Sequence, residues 1–537
     1  MFFEKTYKRL SLVLVGGAFC AANLTAQSQK DLSDYDFLRN RDAWLQSENA
    51  SGLNNVAVPK ISVVEIDYNK SKGDFINYFQ SNNSYRYGAF CESYYRLNAK
   101  TVVFGKVEYS RFSGLHMGGS SSIDPYFNPL NIVEYADSTA GRKVNEIYHL
   151  VGALSTKLSD RLSLGLKADY TTESYYKVKD LRHTNDLMNL IFTGGLRYKV
   201  NSFVDAGINY YYRRSTEGIG FKSLGAMNNQ FNSLIDFGAF YGHQELFGSS
   251  GYTADNNLFF NQFNGASIQL NLFPKNKISI FNEFGVKRRT GYFGVKSAAT
   301  LVRTEHQSDI FSYSGVISLK NRASIQLLKV AATIENLQNS ENSFRAETTT
   351  GGVTTYVFYA QNKVFDQDRM NFSVGYTGYF QVENNNPLWV VDALFTATSD
   401  DQTITLYPSF RKHQVNQWSA QLSAKRNLYL TSGDVLCFHV QAGYGSGSGY
   451  AAKDGKYSSS GSSQSSAVSL DRYLYREFEY LTADRITGTV AIRYTKPLET
   501  NNTSIYGEVG YDATKALSVR YIGSTFGNLS VKIGYNF

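Results

Sequence analysis

From Ile61 to Phe537 the chain keeps returning to one pattern, apolar and polar positions alternating with a period of two. Tyr148, Leu150, Gly152 and Leu154 alternate with His149, Val151, Ala153 and Ser155. Ser159-Asp160-Arg161 makes a turn, and then Leu162, Leu164, Leu166, Ala168 and Tyr170 alternate with Ser163, Gly165, Lys167, Asp169 and Thr171. Strand side chains point to opposite faces in turn, so each stretch predicts a strand with one apolar and one polar face. The unit recurs at Val103–Tyr109, Leu190–Tyr198, Val204–Tyr212, Ala266–Leu272, Trp389–Ala397, Leu436–Tyr444, Ile486–Tyr494 and Ile505–Tyr511. In the final stretch Leu529, Val531, Ile533, Tyr535 and Phe537 oppose Asn528, Ser530, Lys532, Gly534 and Asn536.

Short connections are predicted near 98–100, 159–161, 201–203, 274–276, 320–322, 383–387, 428–433 and 497–502. Longer ones alternate with them, at 113–145, 175–188, 215–263, 289–308, 336–368, 399–415 and 445–483. An apolar face beside a charged face, hairpin after hairpin, calls for lipid on one side and water on the other. The expected fold is all-β: a single transmembrane antiparallel β-barrel of about 18 strands, within 14–20, with short periplasmic turns and long extracellular loops. A last strand with one bare apolar face suits a barrel, where it pairs with the first and no edge is left. Tyr535 and Phe537 also resemble the C-terminal signal read by the bacterial barrel-insertion machinery.

Composition supports this. Tyr (40), Phe (36) and Gly (44) are abundant and Pro (7) is scarce, as long strands with aromatic belts require. The predicted belt residues are Tyr109, Tyr170, Tyr198, Tyr212, Tyr444, Tyr494, Tyr511 and Phe537, near strand ends on the outer parity. No run approaches the roughly 18 apolar residues of a spanning helix. The net charge of +8 comes from interspersed acids and bases, without the basic stripe that nucleic acid needs.

Residues 1–26 read as a secretory signal: Lys5, Lys8 and Arg9, then the apolar Leu10–Ala22, then Leu24-Thr25-Ala26. Residues 27–59 form a polar periplasmic segment or small plug, and 60–537 the barrel. The 215–263 stretch is too long to be structureless, and Phe237, Phe240, Tyr241, Phe247 and Tyr252 let it pack over the mouth. The tract Gly445–Gly449, with Ser458–Ser466, reads as a flexible loop tip. On strand parity Cys91 faces lipid and Cys437 the lumen, so no disulfide between them is expected.

Charged residues on the inner parity are the candidate site: Lys106, Glu108, Lys167, Asp169, Arg197, Lys199, Asp205, Arg213, Asp392, Arg493, Glu508 and Lys532, joined by Glu283, Lys287, Lys329 and Lys425. They line a channel favouring anionic solutes, or form cross-strand ion pairs in a filled lumen. Asp124-Pro125-Tyr126 and Arg213-Arg214 are loop sites for a ligand or lipopolysaccharide, or plain turn chemistry. There is no H-E-x-x-H, no G-x-S-x-G, and the seven histidines lack metal-ligand spacing. No catalytic residue, metal or cofactor is expected.

Ser84–Phe90, Met117-Gly118-Gly119 with Ile123–Pro129, and Tyr210–Gly218 resemble a family of Gram-negative outer-membrane barrels catalogued as a domain of unknown function. The resemblance implies a multi-pass barrel in the outer membrane, in contact with lipid and lipopolysaccharide. It brings no substrate. It places relatives near TonB-dependent uptake systems, so a TonB-dependent receptor or surface lipoprotein is an expected partner. The expected function is a channel or uptake component for small solutes. A closed barrel displaying loops, as a surface receptor, adhesin or accessory to TonB-dependent uptake, is the alternative, and an outer-membrane enzyme the third.

Overall fold

The computed structural model describes residues 33–537 apart from 136, 225–230, 249–250, 255–256, 297–300, 349–350, 353, 459–466 and 499–502. The predicted signal peptide and most of the Ser458–Ser466 tract lie outside the described residues.

Eighteen strands form one antiparallel sheet in chain order. They are Lys60–Gly73, Asn83–Arg96, Thr101–Met117, Gly141–Lys157, Leu162–Lys177, Arg182–Lys199, Val204–Lys222, Leu258–Leu272, Ile278–Gly294, Val302–Asn321, Ser324–Thr348, Thr354–Glu383, Asn386–Leu406, Ser409–Tyr429, Val435–Lys456, Arg485–Pro497, Ser504–Ala516 and Thr525–Asn536. The last pairs with the first, from Val63 opposite Asn536 to Gly73 opposite Phe526. Ser62 and Phe537 exchange backbone bonds of 2.9 and 3.0 Å, so the sheet closes without an edge.

The parity is as the alternation predicts. Val107, Ile208, Phe284 and Ile533 are each more than half exposed on the outside. A Cβ on Gly165 would collide with Ser51 inside the barrel, so Leu164 and Leu166 face outward. Such a continuous apolar band is foreign to a soluble surface and natural against lipid. A closed antiparallel barrel wearing it is a bacterial outer-membrane β-barrel. Aromatics mark both rims: Tyr535 stacks on Phe537 (5.4 Å) at one, and Tyr109 meets Tyr148 (5.0 Å) towards the other. Tyr198, Tyr444, Tyr494 and Tyr511 are exposed on the same outer face. Cys91 is exposed, Cys437 half-buried, and both are free.

At the end that holds the C-terminus, turns fall at 97–100, 158–161, 200–203, 273–277, 322–323, 384–385, 430–434 and 498–503, each on or beside its predicted position. The opposite end departs from the prediction. Connections lie at 74–82, 118–140, 178–181, 223–257, 295–301, 349–353, 407–408, 457–484 and 517–524, mostly shorter than expected, and the first and last were not foreseen. Beyond the membrane the outer face of each strand meets water while Ile219, Phe221, Phe259 and Phe293 turn into a buried apolar cluster, so the outward apolar alternation ends while the backbone ladder continues. Arg345 still pairs with Val357 in the tall hairpin of Ser324–Thr348 and Thr354–Glu383. For the same reason Arg213-Arg214 is strand, not loop. Gly445–Gly449 is also strand rather than a flexible tip. Its alternate glycines face inward, and Gly447 abuts Leu481 and Thr482 of the helix Asp471–Thr482 so closely that a Cβ would lie 2.7 Å from Thr482 Cα.

Two bodies fill the bore. Residues 33–56 close much of the C-terminal end. The outer end holds a cap whose four-stranded sheet is built from Asn131–Glu134, Asn232–Asp236, Tyr241–Leu246 and Val468–Ser469. Phe237, Phe240, Tyr241, Phe247 and Tyr252, the apolar residues noticed in the 215–263 stretch, are buried in its core with Ile132, Leu234 and Tyr473.

Candidate functional site

The segment that closes the inner end is shaped by three side-chain caps. Asp34 accepts from Phe37 N (2.9 Å) and starts the helix Tyr35–Asn40. Asp42 accepts from Trp44 N (2.9 Å) and starts Ala43–Gln46. Asn49 accepts from Ser51 N (3.0 Å) and starts the 3-10 turn Ala50–Asn55. Each cap satisfies an amide the short helix cannot.

The segment sits in a saddle of glycines. Gly165, Gly195 and Gly207 face inward on three neighbouring strands. A Cβ would fall 1.9 Å from Ser51 N at the first, 2.2 Å from Asn49 Oδ1 at the second and 2.8 Å from the Trp44 ring at the third. Only bare backbone permits this approach. Asn49 Nδ2 donates to the Leu196 and Ile208 carbonyls (3.1 and 3.2 Å) and to Gln269 Oε1 (3.0 Å). Ser155 Oγ donates to Ser51 O (3.0 Å), and Arg96 donates to Val56 O (2.8 Å). Tyr35 Oη donates to Glu92 (2.6 Å). Two apolar clusters also anchor it: Phe37 and Trp44 pack on Tyr379, Phe281 and Leu327, and Leu38, Leu53 and Val56 pack on Tyr94 and Val102.

The predicted lumen residues gather into separate groups. Lys106 meets Glu108 at 2.7 Å, His149 lies between Glu108 (3.5 Å) and Asp169 (2.9 Å), and Lys167 meets Asp169 at 3.3 Å. Arg197 pairs with Asp205, donates to Asn55 Oδ1 (2.7 Å) and stacks 4.4 Å from the Trp44 ring, so it belongs to the seat of the segment. Arg493 and Lys532 share Glu508, at 2.7 and 3.4 Å. Asp392 accepts from Ser423 Oγ (3.3 Å). Arg213 stacks on the rings of Phe127 (4.7 Å) and Phe263 (5.1 Å), opposite Arg289, which also lies 4.7 Å from Phe127. Lys199 faces solvent at the inner rim. Lys287 pairs with Glu48 of the segment. Asp124-Pro125-Tyr126 is a turn, as its chemistry predicts, with Asp124 accepting from Tyr126 N (2.9 Å) and Phe127 N (3.3 Å), but the stretch after it is held by the wall: Phe127 is clamped between two arginines, and Asn339 Nδ2 donates to Pro129 O (3.1 Å).

The interior is lopsided. Over strands from Arg182 to Asn321 the inner face is largely covered, while the side chains of the Lys106, Glu108, His149 and Lys167 group before them stay 24–37% exposed. Over those from Thr354 to Asn536 a polar strip stays open, with Thr396, Gln421 and Gln441 only half-buried. Along it lie a cavity of about 570 Å³ beside the segment and one of about 300 Å³ under the cap. The upper cavity is bounded by Asp236, Arg369, Asp400, His413 and Glu477. Arg369 holds Asp400 at 2.7 Å, and Tyr126 Oη donates to Glu477 at 2.5 Å. Burial pushes the carboxyl groups of Asp236 and Glu477, both in the cap, up to about 7. The cap is bolted to the wall by Lys177 and Glu134, fully buried and 2.5 Å apart.

Sequence reasoning missed Asn49, the glycine saddle and Glu477. Inner-parity glycines at 165, 195 and 207 were the available signal, since a solvent-filled bore has no use for three absent side chains. Among the described residues no group of three His, Cys, Asp or Glu is placed to hold a metal ion.

Residues 50–537 match the family of unknown function DUF6850. The chain belongs to this family. No curated relative matches the DUF6850 sequence. Solved structures similar in outline include BauA, the ferric preacinetobactin receptor of Acinetobacter baumannii (10% identity, TM-score 0.41, 89% of this chain and 79% of that one). The outer membrane transporter YddB of Escherichia coli gives 9%, 0.38, 88% and 80%. A Pseudomonas aeruginosa FadL homologue gives 10%, 0.34, 94% and 96%. Likenesses this distant add nothing to what the DUF6850 barrel itself displays.

Proposed function

We propose that the chain is an uptake barrel that passes small polar solutes along the open half of its lumen, with residues 33–56 as the inner gate. The observation that carries this is Leu394. It alternates with the cavity residue Asp392 and so points into the bore, yet it is 41% exposed. An apolar side chain that solvent reaches from inside argues for a wet lumen on this side of the barrel. Much of the segment's seat fits a gate, because it is made of hydrogen bonds that water can replace, and its two apolar clusters are what an opening gate leaves. Planar-bilayer recording tests the reading. The intact barrel should show low or flickering conductance and the variant lacking residues 33–56 steady openings. Silence from both would end the proposal. The role is non-enzymatic, and hydrolysis in lipase or protease assays on the purified protein would contradict it.

A second reading, display of loops as a receptor, adhesin or accessory to a TonB-dependent uptake system, is favoured by the tall hairpin. Its last rungs to its neighbours are Thr304 with Glu341 and Phe365 with Ile404, and beyond them Phe358 and Tyr359 stand exposed. Crosslinking from this tip to a TonB-dependent receptor or surface lipoprotein, with no conductance in either barrel, would favour it.

A further inference from the structure

The 570 Å³ cavity lies between the gate segment and the wall strands. Its charges fall into two classes. Glu508 is taken up by Arg493 and Lys532, and Asp34 caps its own helix. The remaining four are Lys329, Lys425, Asp392 and Asp36, and none of them is within ion-pair distance of an opposite charge among the described residues. Lys425 and Asp392 are diagonal neighbours on adjacent strands, since Lys425 opposes Val390 and Asp392 opposes Ser423. Lys329, opposite Gly375, stands on the far side of Asp392, which opposes Thr377. Asp36 looks across from the gate segment.

We infer that this cavity binds a small zwitterion, a free amino acid or short peptide, with its carboxylate towards Lys329 and Lys425 and its ammonium towards Asp392 and Asp36. Two lysines and two carboxylates stand around one space without a salt bridge among the described residues, Asp392 accepting only from Ser423 Oγ (3.3 Å), and a partner bearing both signs complements both pairs. An anion alone would satisfy the lysines and face two carboxylates of its own sign, and a cation alone would meet the converse. Because Asp36 belongs to the gate and the other three to the wall, the bound solute spans the two. This names the solute class for the uptake reading and rests on it for its meaning in the cell.

Isothermal titration of the purified full-length barrel in detergent tests it, with alanylalanine, acetate and methylammonium as probes. Alanylalanine should bind at least tenfold more tightly than either single-charge probe. Lys425→Gln and Asp392→Asn should each weaken it tenfold or more. Equal binding of acetate or methylammonium, no heat from alanylalanine at millimolar concentration, or undiminished binding in both variants would overturn the site. The three-probe comparison on the unaltered protein stands even where a variant fails to fold. Binding without conductance would leave the site and remove the uptake reading; conductance without binding would do the reverse.

Discussion

The two halves of the wall share one inner-face vocabulary of serine, threonine, asparagine, glutamine and isolated charges, but only one is covered. On the filled half Ser155, Asn209 and Gln269 are at most 2% exposed. On the open half Thr396, Gln421 and Gln441 are partly bare. Polarity therefore does not decide where the bore is hollow. What differs is what the recesses hold: Gly165, Gly195 and Gly207 leave room for the segment's backbone, while on the open wall Gly443 and Gly510 are met by the wall's own Thr487 and Ser530 side chains. A hydrated passage is what remains after the segment takes the side whose recesses are left free to receive it.

The comparison can be broken most forcefully at the saddle. Gly195→Val should expel the segment, because the added carbons would occupy the place of Asn49. Trypsin cleavage after Arg39 or Arg41 should then become rapid and conductance rise on the order of tenfold, whereas Ser419→Val on the open half should do neither. The next effect concerns the cap. Phe240→Ala empties a fully buried site and should cost about 3–5 kcal/mol, read as faster hydrogen exchange in Asn232–Asp236 and Tyr241–Leu246. Smaller is the effect of pH. Asp236 and Glu477 hold their protons up to about 7, above the ordinary carboxylate range, so their contribution to cap stability is complete in acid. It fades as pH rises towards 7, and intrinsic-rate-corrected exchange in the cap should be at least about tenfold faster at pH 8 than at pH 5. Glu477→Gln should remove its share of that dependence. The smallest change is Gln421→Trp, which narrows the open strip and should lower conductance by about half in the barrel lacking residues 33–56, leaving its stability within about 1 kcal/mol.

Much of the barrel was legible because lipid enforces it. Wherever one face meets hydrocarbon, Leu164 and Leu166 must alternate with Gly165 and Lys167, and the turn at 158–161 must be short. Legibility ended where that enforcement ended. The strands past the outer rim lose hydrocarbon on the outside, and their inner faces answer to the cap, as Gly447 does to the helix Asp471–Thr482, so the outward apolar alternation stops. The inner-parity charges were legible as a set but not their partners, since Arg197 answers to Asp205 and Asn55, and Lys287 to Glu48, across gaps in sequence that periodicity does not bridge. The turn at Asp124-Pro125-Tyr126 is legible from its residues, but what holds Phe127 behind it is not, because Arg213 and Arg289 reach it from distant wall strands.

The seam between Lys60–Gly73 and Thr525–Asn536 carries a consequence for the gate. The segment that lies in the bore runs directly into the strand forming one lip of that seam, and Phe537 at the other lip is locked to Ser62. The occupant is therefore leashed to a closed ring by a few residues, and whenever it lifts away it stays within reach of its own seat. A free peptide of residues 33–56, offered to a barrel made without it, lacks that leash and should restore the sealed state only at roughly millimolar concentration.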